Sequence, residues 1–528
     1  MAALVVESIL CTILVSIFMV LSVYIPTWKI NYFHESGIII IIGICIGLFM
    51  DGIGDPLAKF NSQIFFDFML PFLILSSGYN MKRRRFFANI GIILLLGIIG
   101  TLFQFILVSL SAYLFSLGGA LKDLEGQTYH FSPKEAIAIG ALLASSDSAC
   151  VLALVNESKA PKLHSIIFGE SIMNDAMSIL LIHTLPMVSL TSVSASEVFV
   201  FLGVFLYYAV TSILLGIFFG VVSAILTRNF EILREDPSKS IALQLYVSLM
   251  SYMCAQALGL AENVTLMVCG IISGHYAWHN LGKTSKIVAS NGISFIGDAA
   301  EALIFSYLGL TAFSYKNDHI DFIYIFTIIC SILIARLLST VLLLWAARIV
   351  TKSKFHMTKR AISIVWMGGL IRGAVAYALA LDLDYKDKKM ITITVLGVVI
   401  TTAVIFGSLL PLWVAKIKPD GLDIVSVANE IRDESLSMSV FGKRKSLYIT
   451  KEEVLPKNWI HRHWKIIDEK YIKPCLIHPD PLKTHYREVE ELNERMQEAV
   501  EMSMESISMS FKERNSQDTS AFFGREMN

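Results

Sequence analysis

Gly140-Ala-Leu-Leu-Ala-Ser-Ser-Asp147-Ser-Ala-Cys150 sets a polar run, Ser145 through Ser148, in the middle of an apolar stretch that extends from about 133 to 155. Serine and aspartate side chains compete with the helix backbone for hydrogen bonds, so such a run predicts an unwound segment rather than a continuous helix. An interrupted membrane helix offers hydroxyl and carbonyl oxygens to an ion at the depth of the bilayer core. The next apolar stretch reads Phe168-Gly-Glu170-Ser171-Ile-Met-Asn174-Asp175. Glu170 and Asn174 are four apart, as are Ser171 and Asp175, so each pair stacks on one side of a helix and the two sides adjoin. Two carboxylates, an amide and a hydroxyl converge within two turns, all of them oxygen donors suited to a hard cation such as Na+. Ionisable groups inside a span cost roughly 2.5–3.5 kcal/mol each on insertion scales and mark ion paths. One polar residue could serve as helix–helix glue; this density is too costly for that alone.

Two further stretches carry charge. Trp366-Met-Gly368-Gly369-Leu-Ile-Arg372-Gly373-Ala holds an arginine between glycines that loosen the helix. A buried guanidinium cannot lose its proton, so Arg372 needs a carboxylate, and Glu170 is the expected partner. The stretch 286–314 carries Asp298 and Glu301, the latter followed by Ala-Leu-Ile-Phe. Glu301 either tunes an ion path or caps a helix turn.

The whole composition agrees with a chain that sits in lipid. Hydrophobic residues make up 55% and charged residues 17% of 528, with a mean hydropathy of +0.62; a soluble chain carries about 25% charged residues. Lys and Arg balance Asp and Glu at 44 each, so there is no global basic footprint for nucleic acid. Soluble enzymes, DNA binders and secreted disulfide scaffolds are excluded. The seven cysteines are scattered without metal-ligand spacing and read as small buried residues. A spanning helix needs roughly 20 apolar residues, and thirteen candidate spans result, at about 4–25, 36–50, 60–80, 87–116, 133–155, 164–189, 198–226, 240–259, 263–278, 286–314, 321–347, 360–381 and 390–415. The first lacks a basic leader and is too long for a signal peptide, so it reads as a retained helix.

Alternate loops hold Lys82 with Arg83 to Arg85, Lys159 and Lys162, Arg228 and Arg234, Lys283 and Lys286, and Arg348 through Arg360. By the positive-inside rule that side is cytosolic, as is the C-terminus. The basic run at 82–85 reads as a topology anchor, with a lipid-headgroup site as the sharper alternative. The sequon Asn263-Val-Thr265 falls in an expected outside loop close to the membrane, where glycosylation would have to act. Residues 1–418 form the expected transmembrane domain and 419–528 a cytosolic tail. In the tail, about 486–511 is rich in Glu, Met and Leu without Pro or Gly and predicts an amphipathic helix. It would pack on the membrane domain, pair with itself or bind a regulatory partner, and the last dozen residues read as disordered.

The interrupted spans are the fifth and the twelfth. Two six-helix units, spans 1–6 and 8–13, make them equivalent positions, and the odd offset of seven inverts one unit relative to the other. The expected fold is therefore an all-α polytopic membrane protein of about thirteen helices, built as an inverted repeat with two crossing broken helices and a cytosolic helical tail, the architecture of many secondary transporters.

At these residues the chain resembles the cation/proton antiporter family, in particular eukaryotic sodium/proton exchangers, over roughly 35–415. The resemblance is carried by Ser146-Asp147 with the following apolar run, by Phe168 through Asp175, and by Gly368-Gly-Leu-Ile-Arg372-Gly-Ala-Val. Pro71 through Tyr79 and Cys269 through Asn280 add to it. Ser148 in place of a proline, the Gly-Leu-Ile-Arg spacing and the tail segment Trp464 through Pro474 resemble the intracellular, endosomal and vacuolar, branch rather than the plasma-membrane branch. Ser76 falls where some relatives carry an acid, and that role is not carried over. The resemblance implies that Asp175 binds cation and proton in turn, that Asn174 orients the site, and that Asp147, Ser146 and Ser171 complete the shell around Na+ or K+. It further implies a Glu170–Arg372 structural ion pair, a homodimer, an elevator-like motion of the ion-carrying core, and no cofactor.

A bare carboxylate is costly to carry through lipid and a loaded one is not, so obligatory exchange follows. Asn174 cannot titrate; with Glu170 paired, one carboxylate changes hands and one cation is exchanged for one proton without net charge. The rival readings are a cation channel, which would need a continuous polar pore, an intramembrane hydrolase built on Asp147 and Asp175, in which Arg372 and Glu170 have no part, and a transport-dead sensor or scaffold, against which the intact Asp147, Asn174 and Asp175 argue.

Overall fold

The computed structural model describes residues 2–27, 35–53, 65–81, 83–119, 130–155, 160–187, 195–312, 321–350, 357–383, 385, 387–417 and 467–477. The regular structure of these residues is all helical, with no strand among them. The helices in chain order are α1 (Ala2–Thr27), α2 (Glu35–Ile53), α3 (Phe65–Tyr79), α4 (Ile90–Leu117), α5 (Pro133–Leu142), α6 (Ala149–Leu154), α7 (Pro161–Thr184) and α8 (Ala195–Asn229). They continue with α9 (Pro237–Ala257), α10 (Glu262–Ile272), α11 (Lys283–Thr311), α12 (Phe322–Val350), α13 (Lys359–Gly368), α14 (Ala374–Asp382) and α15 (Lys388–Ile417). Each of the thirteen expected stretches falls on one helix or, at the fifth and twelfth, on a broken pair. Six helices among the described residues are long and apolar enough to cross a membrane by themselves, including α4, α8, α12 and α15.

Capping residues place several helix starts. Ser132 accepts from the Glu135 backbone N–H at 3.3 Å while the Glu135 carboxylate accepts from the Ser132 N–H at 2.8 Å, with Pro133 at the first helical position of α5. Thr358 caps α13 through the Ala361 N–H, and Asp236 caps α9. Long runs of exposed aliphatic and aromatic side chains, such as Phe199, Leu206, Leu214 and Phe218 on α8 and Phe322, Phe326 and Trp345 on α12, form the surface that lipid covers.

Close approach decides which helices touch. Gly43 of α2 meets Gly309 of α11, where an added Cβ would lie 2.9 Å from the facing Cα, so the two backbones pack directly, as small residues allow in membranes. Tyr324 of α12 donates to the Ala112 carbonyl of α4 at 3.0 Å, and Ser178 of α7 to the Ala141 carbonyl of α5 at 2.6 Å. One large apolar cluster surrounds the two interruptions, drawing buried side chains from α4–α7 and α12–α15 and from α1, α2, α3 and α11.

Two expectations change. The sequon lies at the start of α10 rather than in an open loop: Asn263 is 2% exposed and Thr265 fully buried, so no glycan can be added to the folded chain. Cys45 and Cys475 are exposed, against the expectation of burial. The amphipathic helix expected at 486–511 lies outside the described residues. Within the described residues, one tail segment is docked on the helices. Residues 468–476 form a short helical turn that buries Leu476 and Ile477 against Ala224, Tyr276 and Ala277. Tyr276 donates to Asp468 at 2.6 Å, and Asn280 donates to the Leu476 carbonyl at 2.9 Å.

Candidate functional site: the crossing of two interrupted helices

α5 ends at Leu142 and α6 restarts at Ala149; α13 ends at Gly368 and α14 restarts at Ala374. The residues between lose their internal ladder, and each break supplies what the other lacks. The Asp147 backbone N–H donates to the Ile371 carbonyl at 2.9 Å. Arg372, fully buried, donates through Nη1 to the carbonyls of Ala144 at 3.1 Å and Ser145 at 2.5 Å, and through Nη2 to Gln104 Oε1 at 3.4 Å. Its own backbone N–H goes to Thr402 Oγ1 on α15 at 3.2 Å. In a medium without water every freed carbonyl needs such a donor.

α7 passes beside this crossing and brings Glu170, Ser171, Asn174 and Asp175 to it. Asn174 is fully buried; its Nδ2 donates to Ser146 Oγ at 2.8 Å, and its Oδ1 accepts from the Thr101 hydroxyl of α4. Ser171 Oγ donates to the Ser146 carbonyl at 3.3 Å. Asn174, Ser171 and Ser146 therefore form one connected group. Asp147 uses one carboxylate oxygen to accept from the Ala149 N–H at 3.0 Å, capping α6. Gly373 leaves room beside it, since an added Cβ would stand 3.3 Å from the Asp147 Cβ. Asp175 is half-buried, and among the described residues it makes neither a hydrogen bond nor an ion pair; Asp147 is the charged neighbour that acts on it.

The expected Glu170–Arg372 pair is not the one that forms. Glu170 Oε1 meets Arg336 Nη1 of α12 at 2.5 Å, with both side chains at most 4% exposed. Arg336 also donates through Nη2 to the Val365 carbonyl at 3.1 Å and lies flat against Gly369, where a Cβ would overlap the guanidinium. The reason is the break itself: the carbonyls of 144 and 145 need donors more locally than Glu170 does, and Arg372 is the residue positioned to supply them. Arg336, Thr101 and Gln104 were missed by reasoning from the sequence. For Arg336 the signal was present, a lone charge in the aliphatic run of α12. None of these hydrogen bonds involves Glu301, which is half-buried on α11.

The set of oxygens near Asp175 suits a hard monovalent cation that comes and goes. Among the described residues no group of three or more His, Cys, Asp or Glu side chains is placed to hold a resident metal.

The family model described as "Sodium/hydrogen exchanger, transmembrane" matches residues 13–416. Sodium/hydrogen exchanger 1 of Oryza sativa subsp. japonica is 28% identical over 496 residues, covering 84% of this chain and 87% of its own length. Sodium/hydrogen exchanger 3 of Arabidopsis thaliana is 30% identical, with coverages of 76% and 82%. Sodium/hydrogen exchanger 9 of Equus caballus is 30% identical over 80% of this chain and 65% of its own length. Among solved structures, the sodium proton antiporter MjNhaP1 of Methanocaldococcus jannaschii superposes with a TM-score of 0.60 at 16% identity, covering 80% of this chain and 99% of that one, a likeness of fold. With the family model matching 404 of its 528 residues, this multi-pass membrane chain belongs to the sodium/hydrogen exchanger family.

Proposed function

We propose that the protein exchanges one Na+ for one H+ across an intracellular membrane, with K+ as an alternative cargo, and that Asp175 is the residue the two ions share. The observation that carries this reading is the state of Asp175: set among buried polar groups at the helix crossing, yet left without a hydrogen bond or ion pair among the described residues. Ser171 and Arg372 are committed to backbone carbonyls of the break. Asn174 is fixed by Ser146 and Thr101 and keeps the shell in shape. Asp147 keeps one oxygen for α6 and has the other to offer.

Charge balance favours the one-for-one ratio. Arg336 and Arg372 stand against Glu170, Asp147 and Asp175, which leaves a single net negative charge on the site. One proton or one monovalent cation cancels it. A neutral core crosses lipid cheaply, whereas a charged one does not, so the core moves only when loaded. The moving core in this reading is α4–α7 with α12–α15, carried past α1–α3 and α8–α11 in an elevator-like step within a homodimer. In this reading the C-terminal tail lies in the cytosol, following the basic loops, and the resemblance to the endosomal and vacuolar branch supports such a membrane as the protein's location.

Asp175→Asn removes the shared site while preserving shape. In proteoliposomes loaded with a pH-sensitive dye, the variant is expected to insert normally and to lose Na+-driven proton flux at least 100-fold; unchanged flux would place the site elsewhere. Clamping the potential tests the ratio. A net charge moved per cycle would couple to voltage by ~2.3 kcal/mol per 100 mV, so the wild-type rate is expected to be nearly flat between 0 and about −100 mV. A steep dependence would mean that a second group, with Asp147 first in line, also titrates.

A further inference from the structure

Outside the ion site, one cleft combines charge and shape in a way that transport does not use. It opens between the first turn of α13 and the last turn of α15, has a volume of about 330 Å3, and is lined by Arg360, Trp413, Lys416 and Ile417. That volume is at the lower end of the range for small-molecule sites. Arg360 and Lys416 are both exposed and, among the described residues, neither has a hydrogen bond or ion pair. Two like charges facing one open cleft repel each other, and an anion between them relieves this. Trp413 forms an apolar wall with Ile417, and its orientation is fixed because Nε1 donates to Ser363 Oγ of α13 at 3.0 Å.

We propose that this cleft binds the phosphate-bearing headgroup of an anionic membrane lipid. A guanidinium matches phosphate oxygens in a two-pronged contact, and a lysine adds a point charge. The apolar half of the lining, Trp413 and Ile417, selects a ligand that brings its own hydrocarbon. That separates a lipid from free phosphate in the surrounding water. An ordinary anchoring lysine reaches out to any headgroup; here two cations converge on one volume beside a pinned indole. The location gives the ligand leverage. α13 leads directly into the interruption at 369–373, and α15 holds that interruption through Thr402, so a bound headgroup ties together the two helices that frame Arg372.

The test uses the full chain purified in a neutral detergent, with thermal unfolding followed against added ligand. The probes are a short-chain phosphatidylinositol phosphate, the matching inositol phosphate without acyl chains, inorganic phosphate, and short-chain phosphatidylcholine. The phosphorylated lipid is expected to raise the unfolding midpoint by several degrees in a saturable manner, and the other three to leave it nearly unchanged. Arg360→Gln with Lys416→Gln is expected to weaken half-saturation about 25-fold, a factor of about five for each removed cation. Both side chains are exposed, so the ligand-free midpoint of the double variant should match the wild type. Replacing Arg83, Arg84 and Arg85 by glutamine in a separate variant should leave the shift intact. The proposal is overturned if the double variant responds like the wild type, if the 83–85 variant is the one that loses the response, or if inositol phosphate or inorganic phosphate alone gives the full shift, which would identify a soluble phosphate as the ligand.

Discussion

Glu170 is 3% exposed, and a carboxylate so placed survives only with a partner. Burial and the need for a cation were both legible in the sequence; the identity of the cation was not. Arg372 attracted the assignment because glycines surround it, yet those same glycines create the break whose carbonyls it satisfies. Arg336 is a lone charge in the aliphatic run of α12 that the sequence left without an assigned partner, and only the contact with Glu170 of α7 identifies its role. The pairing is testable by rescue. Arg336→Gln strands a buried charge and is expected to destabilise by about 3–5 kcal/mol, seen as a large drop in the thermal midpoint of the purified protein. Adding Glu170→Gln removes the stranded charge and should recover most of the loss. The same second change should not rescue Arg372→Gln, because Arg372 serves the carbonyls of Ala144 and Ser145 instead. Equal rescue of both would restore the pairing expected from the sequence.

At the level of helices, the interruptions at 143–148 and 369–373 were readable because Ser, Asp and Gly are poor helix formers, and both positions came out as expected. The widened π-type turns at Leu95–Gly100 and Ser273–Ala277 were not readable. Nothing in their composition marks them, since such turns arise where tertiary packing forces an extra residue into the helix. The first of them matters for the site. It lets Gly97 lie against Met173 of α7 and precedes Thr101, whose hydroxyl then reaches Asn174. Glycine has a second use at the other break, where Gly369 allows the Arg336 guanidinium to lie flat on the backbone. Gly369→Ala is expected to cost about 1–3 kcal/mol through forced displacement and to slow exchange, since it pushes on the Arg336–Glu170 pair. Gly91→Ala on α4 is the control: no atom lies within 4 Å of an added Cβ there, so it should be neutral or stabilise by about 0.5–1 kcal/mol. Thermal midpoints and proteoliposome flux of the two variants side by side separate a packing effect from a general helix effect.

For the molecule as a whole, the segment at 467–477 fastens the tail to the ends of α8 and α10. The sequence marked Trp464 through Pro474 as a recognisable stretch without indicating where it goes, since a short amphipathic piece fits many surfaces and only the shape of its receptor selects one. The receptor is polar at its centre. Asp468 is 6% exposed, accepts from Tyr276 at 2.6 Å, and lies 3.4 Å from the Lys473 ammonium and 3.8 Å from the His275 ring. Burial pushes its carboxyl up, but the contacts from His275, Tyr276 and Lys473 outweigh burial and hold it below the usual carboxylate range. A carboxyl whose affinity for protons is lowered by docking stabilises the docked form fully above its undocked value, and that contribution fades as pH falls toward the docked one. The tail is therefore expected to stay docked at neutral pH and to loosen in acid below about 4. Asp468→Asn keeps the shape and removes the charge, so it should loosen the segment at neutral pH and flatten the acid response. Hydrogen exchange of residues 468–477 in the full-length protein reads both. Fast exchange is expected in the variant at pH 7 and in the wild type only in acid, whereas equal protection of the two at pH 7 would show that Leu476 and Ile477 hold the tail without the charge.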